Sequence, residues 1–233
     1  MRFGSILKKN QRLKALNEDD PEYQYVKKLF DEGWKHPNKS TPTVRSIFKL
    51  LKTPSEMGEH HSYRSSIVAE VGDGVDTSGL FFHGTNRACA LGDRKINDEL
   101  CNNNKCNLCG IIRSSYDLAK SGSKHKFSRF GRGIYTSACS SKADDYFRDL
   151  ATCKLQSRAL LVNAVVYGKP QELSKTDTSA NPCGSGYHSV MGVTGGDLNY
   201  EETVVYTNEA IRPVYLVTYG THSERVGKLR KRA

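Results

Sequence analysis

The sequence predicts an α+β fold built mainly on antiparallel sheet. Three observations carry this. Short β-branched and aromatic runs recur along the chain, at Leu80–His83, Gly133–Thr136, Ala159–Tyr167, Thr203–Tyr206 and Val214–Tyr219. Few helical stretches separate them, so the crossovers that parallel strands require are scarce. The chain has 233 residues, 37% hydrophobic and 26% charged, enough for one sizeable core but not two large ones.

Taken in order, Asp20–Pro21 reads as a helix start, with acids in the first turn. Tyr23, Val26, Phe30 and Trp34 then recur at spacings of three and four, one apolar helical face. Lys39–Pro42 is a turn, and Val44–Leu51 is an apolar run that periodicity leaves open between strand and helix. His60–Val71 reads as a helix, Gly72–Gly79 as a loop, and Leu80–His83 as a strand stopped by Gly84. Asp93–Asn107 holds little that could enter a core, and Cys109–Leu118 reads as a helix with Ile111, Ile112 and Leu118 inward. Gly133–Thr136 is a short strand and Ser140–Leu150 a helix. Ala159–Tyr167 is a strand ended by Gly168–Pro170, and Gln171–Leu198 is mostly loop. Thr203–Tyr206 and Val214–Tyr219, joined by TNEAIRP, are expected to pair as an antiparallel hairpin.

The net charge of +10 sits mostly at the ends. Residues 1–14 carry Arg2, Lys8, Lys9, Arg12 and Lys14 with no acid; residues 222–233 carry Arg225, Lys228, Arg230, Lys231 and Arg232 against Glu224. The body is near neutral, which argues against a fold-wide groove for nucleic acid. Two basic tails, 1–20 and 221–233, are expected to be flexible; they suit contact with nucleic acid or acidic surfaces, or simple solvation. No apolar run approaches the roughly 18 residues of a membrane span, and the N-terminus lacks a signal-peptide core. Seven cysteines, an odd number, disfavour a complete disulfide framework. Together these give an intracellular protein, nuclear or cytoplasmic, with no membrane partner.

Three pieces carry chemistry: FFHGT at 81–85, GRGIYTSACSSKADDY at 131–146, and YEETVVY at 200–206. Each alone has a structural explanation. In this order and with these flanks, they resemble the catalytic domain of the poly(ADP-ribose) polymerase superfamily, of the His-Tyr-Glu class. GYHSVMG at 186–192 is most similar to the tankyrase branch. The resemblance implies a split antiparallel β-barrel of two packed sheets with flanking helices, spanning residues 21–220, with NAD in a cleft. It implies that YTNEAIRPVYLVTY is the closing hairpin.

Carried over onto this sequence, the family's histidine falls on His83, holding the adenine-side ribose, and Gly84 offers backbone groups to the nicotinamide amide. Thr85 replaces a family serine near the ribose. Tyr135 is the motif tyrosine and Tyr146 the aromatic that stacks on nicotinamide. Glu202 is the catalytic acid, and alternation along a strand points its neighbour Glu201 to the other face. The basic stretch Lys120–Arg132, Arg132 included, is the loop expected over the pyrophosphate, where its cations attract a diphosphate. Ala143 stands where many members carry a serine for the carboxamide.

These residue types suit the reaction. Breaking the bond between ribose and a cationic pyridinium moves positive charge from the ring to the sugar, with oxocarbenium character as in glycoside hydrolysis. An aromatic face binds the cationic ring. A carboxylate beside the ribose stabilises the charge that develops there. The implied activity is transfer of ADP-ribose from NAD to a protein acceptor with release of nicotinamide, compatible with chain extension. Two rivals remain: a nucleic-acid end as acceptor, approached by the tails, and a catalytically silent module binding NAD or ADP-ribose. With about 80 residues before His83, the family's autoinhibitory helical domain and DNA-sensing fingers are not expected.

The segment 86–109 is an insertion relative to the family pattern. It holds Cys89, Cys101, Cys106 and Cys109, spaced x11, x4 and x2. Cys-x2-Cys at a helix start is a frequent zinc half-site, so a structural zinc ion on four thiolates is expected. The alternative is a set of free thiols with one disulfide.

Overall fold

The computed structural model describes residues 12–94, 98–121, 128–152, 155–182 and 185–220. Most of both basic tails, the middle of the basic loop (122–127), and Cys153 and Cys183 lie outside these residues. The chain opens with β1 (Leu13–Ala15), α1 (Pro21–Glu32), β2 (Thr43–Leu50), α2 (Pro54–Val71) and β3 (Ser78–His83). Next come β4 (Asn86–Arg87), α3 (Asn107–Ser114), β5 (Ile134–Thr136), α4 (Ser140–Asp144) and β6 (Arg148–Asp149). The last elements are β7 (Arg158–Val166), β8 (Pro170–Leu173), β9 (Ser189–Gly192), β10 (Glu202–Val205) and β11 (Ile211–Gly220).

Two sheets organise the molecule. One runs β1-β2-β11-β7-β3, every pair antiparallel. The other runs β5-β10-β9-β8, antiparallel except for the parallel pair β8 and β9. A backbone bridge joins them, where Phe82 of β3 exchanges hydrogen bonds with Ser137, just past β5, at 2.8 and 3.1 Å, and Ile134 and Val205 of one pack with Val165 and Ile211 of the other. Among the described residues the sheets do not close into a barrel.

The five-stranded sheet is buried on both faces, which explains the nearly continuous apolar run of β7. Leu160 and Val162 join Val26 and Phe30 of α1, with Ile47, Phe82, Val217 and Tyr219. Ala159 and Leu161 point the other way, into a cluster with Phe48, Leu216, Ile112, Phe147, Cys106 and Cys109. α1 starts where Asp20 accepts the Glu22 amide at 2.8 Å and Pro21 fills the first turn. Beyond its end, Trp34 packs against Phe30 and Tyr219, with ring centroids 5.5 and 5.7 Å apart.

Several expectations need correction. Leu13–Ala15 is a strand with Leu13 fully buried, so the ordered fold begins well inside the expected N-terminal tail. α2 starts at Pro54, six residues early, because Thr53 and Glu56 form a reciprocal capping box. The helix expected over Ser140–Leu150 stops at Asp144. There the chain turns, and Arg148–Asp149 pairs with β4 in parallel register. Among its described residues Gln171–Leu198 is mostly loop, as expected, with β9 and most of β8 set within it. The closing hairpin does not form: β10 has both edges filled by β5 and β9, and β11 has both filled by β2 and β7, so the two strands belong to different sheets. Val44–Leu51 resolves as a strand.

Candidate active site and cysteine centre

β3 ends at His83, and the Phe82–Ser137 bridge sets that end beside β5, which carries Tyr135. His83 Nδ1 lies 2.9 Å from the Tyr135 carbonyl oxygen. A carbonyl only accepts, so Nδ1 carries the hydrogen and Nε2 of the neutral ring is left as an acceptor. Burial holds the His83 pKa below its ordinary value against the opposing pull of that carbonyl, which keeps the ring neutral at pH 7.

β10 runs antiparallel to β5, with Val204 opposite Tyr135, and brings in Glu202. Glu202 is 5% exposed, whereas Glu201 faces solvent. One carboxylate oxygen, Oε1, lies 3.0 Å from the Lys142 ammonium, whose nitrogen also donates to the Tyr200 carbonyl at 2.7 Å. The other, Oε2, is buried with no hydrogen-bond partner. A buried carboxylate oxygen left bare is costly unless something accepted at the site satisfies it. Burial together with the nearby Glu202 charge raises the pKa of the Tyr146 phenol, and burial chiefly pushes Tyr135 up to about 12. Tyr146 is nonetheless 47% exposed, a large aromatic surface beside the acid. Tyr135 spends its hydroxyl on the preceding turn, accepting from the Phe130 amide at 2.9 Å and donating to the Gly131 carbonyl at 2.8 Å.

Gly84 sits where only glycine fits: a Cβ there would stand 1.9 Å from the Ala143 carbonyl oxygen. The strip after His83 therefore lies directly on α4. Thr85 accepts from the Arg148 amide through its carbonyl at 3.4 Å. Ala143 is buried in the apolar cluster beneath α1. On the second sheet, Gly192 is paired with Glu202 in register, and a Cβ there would strike the Phe130 ring at 2.4 Å.

Two further cations bear on these residues: Lys142, which the sequence did not single out, and Arg129, which lies in the basic stretch expected over the pyrophosphate. Lys142 pairs with Glu202, and burial lowers its pKa against that carboxylate. Arg129, held by Thr176 at 2.8 Å, is the arginine whose charge reaches Tyr135, Tyr146 and Lys142. Arg132, expected at the pyrophosphate, is exposed and donates to the Ala119 carbonyl at 2.6 Å. The Ser-Lys pair in SSKADDY was the only local trace of Lys142; its contact depends on α4 meeting β10, which spacing does not reveal.

The second centre lies behind this strip. The sulfurs of Cys89, Cys101, Cys106 and Cys109 all lie within 4.8 Å of one another, with Cys89 3.8 Å from Cys106 and 3.6 Å from Cys109. A disulfide needs about 2.05 Å, whereas four thiolates about 2.3 Å from a tetrahedral zinc ion stand about 3.8 Å apart. The Ala88 amide donates to Cys106 Sγ at 3.3 Å. That bond, and above all those from its neighbour thiols, lower the Cys106 pKa and favour a thiolate there. The fully buried Arg87 ties the loop down through the Cys89 carbonyl, at 2.9 Å, and through Asp93. The residues present fit a four-thiolate metal site. β4 connects it to the strip after His83: Arg87 and Asn86 pair with Asp149 and Arg148, immediately after Phe147, which packs in the cluster that holds Cys106 and Cys109.

The sequence model described as the poly(ADP-ribose) polymerase catalytic domain matches residues 20–197. The matched span contains His83, Gly84, Tyr135, Tyr146, Lys142 and all four clustered cysteines, and it ends five residues before Glu202.

Proposed function

The chain belongs to the poly(ADP-ribose) polymerase catalytic-domain family, and from that premise we propose that it transfers ADP-ribose from NAD to a protein acceptor with release of nicotinamide. The observation that carries the reading is Glu202: a buried carboxylate with one oxygen held by Lys142 and the other bare, beside Tyr146 and in the group built around His83 and Tyr135.

In this reading the exposed Tyr146 face receives the cationic nicotinamide ring, and Gly84 meets its amide through the backbone. The neutral His83 accepts a hydroxyl of the adenine-side ribose through Nε2. Glu202 Oε2 accepts a hydroxyl of the reacting ribose, which holds the sugar in a reactive pose. As the bond from the anomeric carbon to the ring nitrogen breaks, its electron pair leaves with nicotinamide, and the sugar carbon gains positive charge beside the carboxylate. Lys142 keeps that carboxylate aimed, so no reorganisation is needed at the transition state. The acceptor's oxygen or nitrogen then attacks the anomeric carbon and loses its proton. A retained acid is compatible with chain extension. The resemblance to the tankyrase branch rests on GYHSVMG, whose last four residues form β9 next to Glu202.

The cysteines would hold one zinc ion. Four protein ligands leave no open position, so its contribution is to fix the loop. No helix among the described residues is long and apolar enough to cross a membrane.

The deciding experiment is incubation with labelled NAD, with and without candidate proteins, followed by gel and mass analysis. Label on protein with stoichiometric nicotinamide release supports the reading. Label only on nucleic-acid ends changes the acceptor, and NAD binding without nicotinamide release makes the chain a silent module.

A further inference from the structure

The bond from His83 Nδ1 to Tyr135 fixes one atom of the imidazole but lets the ring swing about that contact. A second contact removes this freedom. The Tyr116 ring stands perpendicular to the His83 ring, with centroids 5.2 Å apart and planes at 87°, a favourable aromatic geometry. Tyr116 is 8% exposed, and its hydroxyl donates to Asn163 Oδ1 at 2.8 Å. Asn163 is fully buried in β7, in a run otherwise apolar, and its Nδ2 donates to the Phe81 carbonyl at 3.1 Å. Phe81 lies two residues before His83 on β3. The contacts thus close a circuit: β3 holds Asn163, Asn163 holds Tyr116, and Tyr116 stands against His83 at the end of β3. A buried amide and a buried phenol are each costly alone and are satisfied here by one another.

The backbone that delivers Tyr116 is strained. Ser115 has φ 64° and ψ −168°, a region almost restricted to glycine. Such strain persists only where the surroundings enforce it. Here α3 is anchored on one side by buried Cys109 and Ile112, and Tyr116 on the other by Asn163.

We propose that Tyr116 is a positioning residue for NAD: anchored by Asn163, it holds the His83 ring so that the bare Nε2 meets the ribose hydroxyl. This rests on reading His83 as the ribose acceptor. The groups facing His83 are the Tyr135 carbonyl from β5 and the Tyr116 phenol from the segment after α3; the polar side chain behind them, Asn163, does not titrate. His83 must be neutral to accept, and burial keeps it so. Without the Tyr116 ring, water reaches the imidazole and its pKa rises toward the ordinary histidine value.

The test measures NAD dissociation constants and steady-state kinetics for the full chain between pH 5.5 and 8, with thermal unfolding in parallel. Wild type should show an affinity nearly independent of pH. Tyr116→Leu should bind NAD about tenfold more weakly at pH 8 and lose further affinity on acidification, with kcat at saturating NAD changed less than about twofold. Tyr116→Phe keeps the ring but loses its anchor; it should weaken binding about fivefold with the flat profile retained. Tyr116→Leu with wild-type affinity and a flat profile overturns the proposal. If Tyr116→Leu does not fold, Tyr116→Phe decides alone, and wild-type affinity in that variant overturns it. His83→Ala separates the two readings. Unchanged NAD affinity in His83→Ala sinks the ribose assignment itself; weakened affinity there beside normal Tyr116 variants sinks only the positioning role.

Discussion

The candidate active site and the cysteine centre sit at the two ends of one short segment, His83 to Cys89, and they are built on opposite principles. In the candidate active site, polar atoms are left unfinished: Glu202 Oε2 is bare and His83 Nε2 is an acceptor. In the cysteine centre everything converges, with four sulfurs within 4.8 Å and Arg87 satisfied around them. Unfinished groups destabilise a fold and are kept where a ligand completes them. Converged groups stabilise a fold and leave nothing for a substrate. On the proposed function the contrast separates a site that acts from a site that holds, and it can be broken at either end.

Its sharpest break is at Glu202. Glu202→Gln preserves shape and removes the charge aimed at the sugar; turnover should fall at least about a hundredfold, while NAD affinity changes less than about threefold. Nicotinamide release at saturating NAD reads this directly, and wild-type-like turnover would sink the catalytic assignment.

The metal comes next. Purified protein should contain one zinc per chain by elemental analysis. Strong chelation or Cys106→Ser should cost about 3 kcal/mol, near 10 °C in unfolding midpoint for a chain of this size. Below that midpoint the KM for NAD should rise before kcat falls, because the centre supports the strip after His83 and does no chemistry. Substantially less than one zinc per chain, with paired sulfurs found as disulfides, ends the zinc reading; equal early losses in kcat and KM would erase the division between holding and acting.

His83→Ala should weaken NAD binding about tenfold with little change in kcat, since its contact is to the distal ribose; a titration of NAD against the variant is the check. The smallest effect is expected at Glu201. It is exposed, and its carbonyl accepts from Ser137 at 2.6 Å. Glu201→Gln should alter turnover less than about twofold, and a larger effect than at Glu202 would mean that the wrong acid was chosen.

Much of this was legible where chemistry is local. The α1 face follows from periodicity and β7 from its β-rich composition, the choice of Glu202 came from the family resemblance, and the cysteine spacing pointed to the cluster. What escaped was set by long-range pairing. The runs before and after TNEAIRP look like a hairpin because they are adjacent and β-rich, but the edges of β10 are taken by β5 and β9 and those of β11 by β2 and β7. β8 and β9 lack alternation, since β8 is a short edge strand and β9 is buried between neighbours. Lys142 carries no motif that names Glu202 as a partner; the meeting of α4 with β10 supplies it. Arg132 was legible as a cation, but the direction of its side chain was not.

Trp34 is the chain's single tryptophan, so emission excited at the red edge of the aromatic band, where the 12 tyrosines barely absorb, has one source. That source lies at the seam between α1 and α4, where the Lys35 and His36 amides both donate to Ser141 Oγ, next to Lys142. Unmodified protein therefore carries its own optical probe at the helix whose Lys142 pairs with Glu202, and emission at a single excitation wavelength can follow that helix as NAD is added, without labels or an engineered reporter.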